Sequence, residues 1–310
     1  MELWTEKYRP KALDEYVWKD PKSRAQVEAW LASGSLPHLL LSGVQGSGKT
    51  SLAKMMFKLL NVPNGDVLEI NASRERNPDV IANKILGFCS TISMSGMKYI
   101  LLDEADSMTP LAQRILRGEM ENYHEAVRFI LTCNYPNKII PAIHSRCQGF
   151  HFKELDEGEF TTRIANILMN EGVDISTEDD IAILSEYVHH THPDMRKCIN
   201  LLQQNTHDGK LNRLVDTSQS QEWVADAIAL FQANKFTEAR KLIVEKAQPE
   251  EYGDVYRFMY QNLELWGSTE DQQGCALLAI RQGLVNHGLV SDVEINLAAT
   301  IAQLMQIARG

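Results

Sequence analysis

Up to residue 152, short apolar runs alternate with longer amphipathic stretches, which predicts strands joined by crossover helices in a parallel α/β sheet. The predicted strands are Leu39–Ser42, Val67–Asn71, Tyr99–Asp103, Arg128–Cys133 and Gly149–Phe152. Helical spacing predicts helices over Lys22–Ala32, Lys49–Leu60, Asp79–Cys89, Pro110–Glu121 and Asn137–His144. From about Leu155 the strand pattern stops, and helical spacing continues through Thr161–Glu171, Thr177–His189 and Asp194–Asn205. A polar stretch from His207 to Gln221, with Asp208-Gly209 and the run Thr217 to Ser220, reads as a linker. Beyond it Trp223, Ala227, Leu230 and Phe231 fall at helical spacing, as do Val255, Phe258 and Met259. Val293, Leu297, Ile301, Leu304 and Met305 repeat the pattern near the C-terminus. The expected organisation is an α/β domain over 1–153 and helical domains over 154–210 and 211–310, with no short internal repeat.

A chain of 310 residues is long enough for two or three domains, and 44% hydrophobic with 23% charged residues is a globular mixture. The net charge of −10 argues against nucleic acid binding over the whole surface, since phosphate contacts need clustered Lys and Arg. A local basic patch remains open. The five cysteines, Cys89, Cys133, Cys147, Cys198 and Cys275, form no C-x-x-C pair, so a zinc ribbon is not expected and a reducing compartment is. Residues 1–11 contain no apolar signal core, and no apolar run has the length of a membrane span. The expectation is a soluble, intracellular protein without a membrane partner.

Two clusters carry chemistry. Gly43-Val44-Gln45-Gly46-Ser47-Gly48-Lys49-Thr50 fits G-x-x-x-x-G-K-[ST] directly after the apolar run His38 to Leu41. Glycines there allow a tight turn whose N–H groups converge on a phosphate at a helix N-terminus. Lys49 adds a mobile point charge for the β- and γ-phosphates of ATP, and the Thr50 hydroxyl is a ligand for Mg²⁺. Ser51, the next residue, is counted with the nucleotide-binding set. The second cluster ends the strand Tyr99 to Leu102 with Asp103 and Glu104, at the sheet edge where α/β proteins bind ligands. Asp103 suits the Mg²⁺ shell and Glu104 the general base that polarises an attacking water. A carboxylate pair of this kind favours hydrolysis over transfer to a bound acceptor.

In these residues the chain resembles the AAA+ ATPases, and within them the sliding-clamp loaders: replication factor C small subunits and the large clamp-loader subunit of tailed phages. The resemblance is carried by Trp4 to Pro10, Leu13 to Val17, Asn71 to Arg76, Asp103 to Met108, Ser145-Arg146-Cys147 and Asp194 to Lys197. It implies a P-loop AAA+ parallel sheet with helices on both faces, then a small helical lid and a helical collar that joins subunits. Thr5, Glu6, Lys7, Tyr8 and Val17 would flank the adenine, while Gly43, Gly46, Ser47, Gly48, Lys49, Thr50 and Ser51 hold the phosphates. Asn134, ending the fourth strand, would orient water and γ-phosphate, and Arg196 would reach back to the phosphates. Arg146 would be a finger that enters the neighbouring subunit's ATP site, with Arg117 as a second basic residue across the interface. Gly118 stands where replication factor C subunits tend to carry another Arg.

The implied partners are other clamp-loader subunits, in a homo- or hetero-pentamer, together with a sliding clamp and primer–template DNA. Arg74, Arg76, Lys84 and Arg114 are the expected DNA contacts, sequence-blind and directed at phosphate. Apolar residues within Asn83 to Cys89, continuing to Ile92 and Met94, exceed what one buried helical face requires and offer a clamp contact. The small size and absent zinc site hint at a viral replisome. Two alternatives stand beside this reading: a different AAA+ motor such as a branch-migration helicase, and a nucleotide-bound scaffold that does not hydrolyse.

Overall fold

Five strands, β1 (Leu39–Gly43), β2 (Val67–Asn71), β3 (Lys98–Asp103), β4 (Val127–Cys133) and β5 (Gln148–Phe152), form one parallel sheet in the computed structural model. Their order is β2-β3-β4-β1-β5. The structure describes residues 2–75, 78–152, 155–207, 209–214, 226–227, 229–230, 233, 235–246 and 252–309. The chain divides into two compact units, Met1–Leu214 and Val215–Gly310.

Alternation along the central strands sends side chains to two apolar layers. Leu39 and Leu41 of β1 join Tyr99, Leu101 and Ile130 in the layer that contains Val27, Leu52 and Met56. Leu40 joins Ile100, Leu102, Phe129 and Leu131 in the other, with Ile81, Ile85, Ala112 and Leu116. The helices of the first unit are α1 (Trp4–Lys7), α2 (Pro21–Ala32), α3 (Lys49–Leu59), α4 (Pro78–Cys89), α5 (Pro110–Asn122), α6 (Pro141–His144), α7 (Glu157–Asn170), α8 (Glu178–Thr191) and α9 (Met195–Asn205). Helices α2 and α3 thus cover one face of the sheet, and α4 and α5 cover the other. Helices α7 to α9 build a third core around Phe160, Ile164, Tyr187 and Leu202, into which Trp4, Tyr8 and Val17 also pack.

The five strands of this sheet lie where the apolar runs predict them, to within a residue at either end, but Thr206–His207 and Lys210–Leu211, where the sequence predicts helix end and linker, form a short antiparallel pair. One predicted helix does not form as such. The Asn137–His144 stretch is a 3₁₀ turn, Pro136–Lys138, followed by the single turn α6. Pro141 is the reason: it removes an N–H donor and holds Ile140 extended, at φ −65° and ψ 146°.

In the second unit, helices Phe236–Lys246, Tyr252–Gln261, Glu270–His287 and Val293–Arg309 enclose Trp266, Tyr256, Leu297, Ile301 and Leu304. A side chain at Gly283 would meet Thr300 Oγ1 at 2.3 Å, so the last two helices touch there because glycine leaves room. Leu277, Leu278, Leu284 and Val285 stay exposed on Glu270–His287. Trp223 and Phe231, expected in this domain, lie outside the described residues. No helix among the described residues is long and apolar enough to cross a membrane.

Candidate active site

The turn from β1 to α3 is shaped by glycines: Gly46 has φ +75° and Gly48, the residue before α3, has φ +84°. Gly46 is constrained twice, since a Cβ there would fall 1.7 Å from Asp194 Oδ1 of the α9 N-cap. The free amides of the first α3 turn therefore open into a cavity of about 200 Å³. Gln45, Gly46, Gly48, Lys49, Thr50 and Ser51 form one wall of it. Asp103, Glu104, Thr132, Cys133 and Asn134, at the ends of β3 and β4, form the opposite wall, and Arg196 closes it from α9.

Lys49 is 8% exposed and its Nζ donates to the Gly43 carbonyl at 2.9 Å and the Val44 carbonyl at 2.6 Å. Burial lowers its pKa, the nearby Arg196 acts in the same direction, and Asp103 among others opposes the shift. The Lys49 ammonium is thus parked on backbone oxygens beside the space a phosphate chain would fill. Thr50 Oγ1 donates to Asp103 Oδ1 at 2.7 Å, and Thr132 Oγ1 donates to the same oxygen. A hydroxyl and a carboxylate, both hard oxygen donors, then share one point of the cavity, a donor pair that suits Mg²⁺. No group of three or more His, Cys, Asp or Glu is assembled among the described residues, so other ligands would be phosphate and water oxygens.

Glu104 follows Asp103 in the left-handed region at φ +56°, uncommon for a residue with a side chain. Its amide donates to Thr132 Oγ1 at 3.1 Å, which holds this turn against β4. Strain of this kind is kept where the surroundings over-determine it, and here both Asp103 and Glu104 line the cavity. Asp106, one turn on, accepts from the Tyr135 amide at 3.1 Å with Oδ2, while its buried Oδ1 has no hydrogen-bond partner.

A second cavity of about 190 Å³ lies against the first, with Gly46, Gly48, Ser51 and Arg196 lining both. Thr5, Glu6, Tyr8 and Val17 line it, together with Ser47. Lys7 does not: its ammonium reaches Glu171 Oε1 at 2.6 Å, and the Tyr8 hydroxyl donates to the same oxygen at 2.6 Å. A carboxylate at the end of α7 captures Lys7 outside the cavity. Gly43 lies outside both cavities and instead abuts Phe152.

Sequence reasoning missed several lining residues. Tyr16 is buried, its hydroxyl donates to the Ser47 carbonyl at 3.3 Å, and burial raises its pKa strongly. Arg163 donates to the Tyr8 carbonyl at 3.0 Å and fixes the N-terminal segment over the cavity. Ile199, three residues after Arg196, supplies apolar wall, and that i, i+3 spacing was available as a signal.

Arg146 lies elsewhere. Leu39 pairs with Gln148 and Gly43 with Phe152, so Arg146 sits before the start of β5 while the phosphate loop follows the end of β1. Five strand residues at about 3.3 Å each place roughly 15 Å of sheet between them, beyond an arginine's reach. Its guanidinium donates to the Ala142 carbonyl at 2.6 Å and pairs with Glu121. Arg117 Nε stands 4.0 Å from the same Glu121. The cleft on this edge is also lined by His38, His124 and Arg128.

Of the expected DNA contacts, Arg74 is exposed in the turn after β2, Lys84 is exposed on α4 but paired with Glu75 at 2.7 Å, and Arg114 is exposed on α5. Arg76 lies outside the described residues. Ile92 and Met94 are 94% and 78% exposed in the loop before β3.

Residues 39–155 match the model of the ATPase family associated with various cellular activities (AAA). The replication factor C small subunit of Aeropyrum pernix is 37% identical over 99% of this chain and 97% of its own length. That of Sulfolobus acidocaldarius is 38% identical over 78% of this chain and 76% of its own. Replication factor C subunit 3 of Saccharomyces cerevisiae is 40% identical over 64% of this chain and 58% of its own. Among solved structures, the RuvB Holliday junction branch migration motor of Thermotoga maritima superposes with a TM-score of 0.52. That likeness covers 64% of this chain and 66% of the motor at 16% identity, and is one of fold alone.

Proposed function

Given that the chain belongs to the replication factor C small-subunit family of AAA ATPases, we propose that it serves a sliding-clamp loader whose ATP sites are completed between neighbouring subunits. It is an ATP-hydrolysing P-loop enzyme of DNA replication. One observation carries the finer reading. Lys49, Thr50, Asp103, Glu104, Asn134 and Arg196 converge on one cavity, while Arg146 stands at the opposite edge of the same sheet.

The chemistry follows from these positions. Amides of the phosphate loop and the Lys49 ammonium, shifted off the Gly43 and Val44 carbonyls, hold the β- and γ-phosphates. Thr50 and Asp103 would hold Mg²⁺, which would neutralise charge on the phosphate oxygens. Glu104 takes the proton of the attacking water and Asn134 orients it. Arg196 contacts the γ-phosphate from α9, so a change there moves the helices α7 to α9. The guanidinium that offsets charge on the transferring phosphoryl group is the partner's Arg146, a contribution worth several orders of magnitude in rate.

The ATP-bound assembly, a pentamer in this reading, opens a sliding clamp and grips primer–template DNA, and hydrolysis releases both, through differential affinity of the two states. Arg74 and Arg114, with Arg76 and Lys84, are proposed to meet DNA phosphates, each weakly, and repetition across subunits strengthens the contact. Ile92 and Met94 are proposed to enter an apolar pocket of the clamp. Leu277, Leu278, Leu284 and Val285 supply the apolar face expected of a collar. The proposed setting is intracellular, within a viral replisome.

Steady-state ATPase with and without primer–template DNA and the sliding clamp of the same replisome tests this. Joint stimulation by both is expected. Arg146→Ala should keep nucleotide binding and lose the stimulated rate, whereas Lys49→Ala should lose binding of a fluorescent ATP analogue. A dilute monomer that hydrolyses at the full rate, indifferent to clamp and DNA, would overturn the proposal.

A further inference from the structure

The loop between α4 and β3 exposes Ile92 and Met94, and two buried charges of opposite sign hold it. Asp66, the residue before β2, is fully buried. Its carboxylate accepts from the Met94 amide at 2.9 Å, the Ser95 amide at 2.7 Å, the Ser95 hydroxyl at 2.8 Å and the Ser93 hydroxyl at 3.1 Å. Lys98, the first residue of β3, is 2% exposed. Its ammonium donates to the Phe88 carbonyl at 2.6 Å and to both oxygens of Thr91, and lies 4.8 Å from the Phe88 ring centre.

No ion pair joins either group to an opposite charge among the described residues. Burying an ion costs several kcal/mol unless its hydrogen-bonding capacity is filled. Here every observed bond of both ions is directed at residues 88–95. Burial alone would raise the Asp66 pKa, yet the Met94 and Ser95 donors outweigh it and hold the carboxyl below its usual range. Neither group touches the ATP cavities. Two buried charges spent on one short surface loop have no use in sheet packing, where apolar side chains would serve better.

We infer that Asp66 and Lys98 are positioning residues that lock the 88–95 loop from its two ends, so that Ile92 and Met94 are presented to the clamp in one fixed conformation. Ordering of the loop is thereby completed on folding, and clamp binding does not have to supply it. The inference rests on the reading of Ile92 and Met94 as clamp contacts, and the experiment separates the two.

The measurement is loader ATPase as a function of the concentration of the same replisome's clamp, at saturating primer–template DNA, for Asp66→Asn, Ser95→Ala and Ile92→Ser. Asn carries no charge and sets an NH₂ group where Oδ1 now accepts from the Met94 amide at 3.0 Å, so Asp66→Asn should raise the half-saturating clamp concentration by roughly tenfold, through the charge assistance lost from the bonds on the other oxygen. The maximal rate and binding of the fluorescent ATP analogue should stay unchanged. Amide hydrogen exchange should accelerate at 91–97 and not in β3 or β4. Ser95→Ala, which removes one hydroxyl donor, should give a shift of about threefold, and it decides the matter if Asp66→Asn fails to fold. A raised half-saturation in Ile92→Ser with none in Asp66→Asn and Ser95→Ala overturns the positioning role and leaves the clamp contact standing. No shift in Ile92→Ser overturns both.

Discussion

Gly46 joins two structural demands at one Cα. The phosphate loop needs its left-handed φ, and the α9 N-cap Asp194 occupies the volume a side chain would take. Gly46→Ala should therefore cost about 1–3 kcal/mol of stability and displace α9 from the loop. Denaturation together with nucleotide titration measures both effects, and Val44→Ala, at an exposed position of the same loop, should do neither. His38 offers a pH test. Its Nδ1 accepts the Phe129 amide at 3.0 Å, which requires the neutral ring. Burial, then the charges of Arg128 and His124, push its pKa from 6.5 down to about 4. Between these values the unfolded chain holds the extra proton, so the stability His38 contributes is complete above 6.5 and is lost as pH falls toward 4. His38→Asn, which keeps an acceptor without titrating there, should lose less thermal stability between pH 7 and pH 5 than the parent. Equal losses in the two proteins would refute the assignment.

Caps divide helix stability from site function at the level of elements. Thr177 caps α8 through a reciprocal pair with Asp180, and Asp194 caps α9 by accepting from the Lys197 amide at 2.9 Å. Each replacement by Ala should cost about 1 kcal/mol. Only Asp194→Ala should also weaken nucleotide binding, because α9 carries Arg196 into the cavity while α8 does not reach it. Chemical denaturation and analogue titration on both variants would show that split, and equal affinities would refute it. The same contrast explains what could be read from the sequence. The strands β1, β3 and β4 were legible because each is a short apolar run buried on both faces, β2 and β5 because apolar positions alternate along them, and the phosphate loop because its residue types follow from its geometry. Helix α1 was not, since four residues show no periodicity, and α7 begins earlier than its pattern because Asp156 caps it at Glu159. The break at Pro141 was written in the sequence and underweighted. The destination of Lys7 was not legible at all, because it depends on Glu171, 164 residues away in the chain.

For the whole molecule, the opposed positions of the nucleotide cavity and Arg146 make a complementation experiment possible. Glu104→Gln should bind ATP without hydrolysing it and still offer its Arg146, while Arg146→Ala retains an intact cavity. Each variant alone should be inactive, and an equimolar mixture should regain a measurable part of the stimulated rate; a mixture as inactive as its components would show that the arginine does not act between subunits. The same placement has a numerical consequence. On the proposed reading each copy would bear one socket and one plug on opposite flanks, so contacts between copies would be head-to-tail, and such contacts close into a circle or leave two loose ends. An arc of such copies always leaves one terminal socket unfilled unless a different chain caps it, so the count of working engines in an open arc trails the count of copies by one.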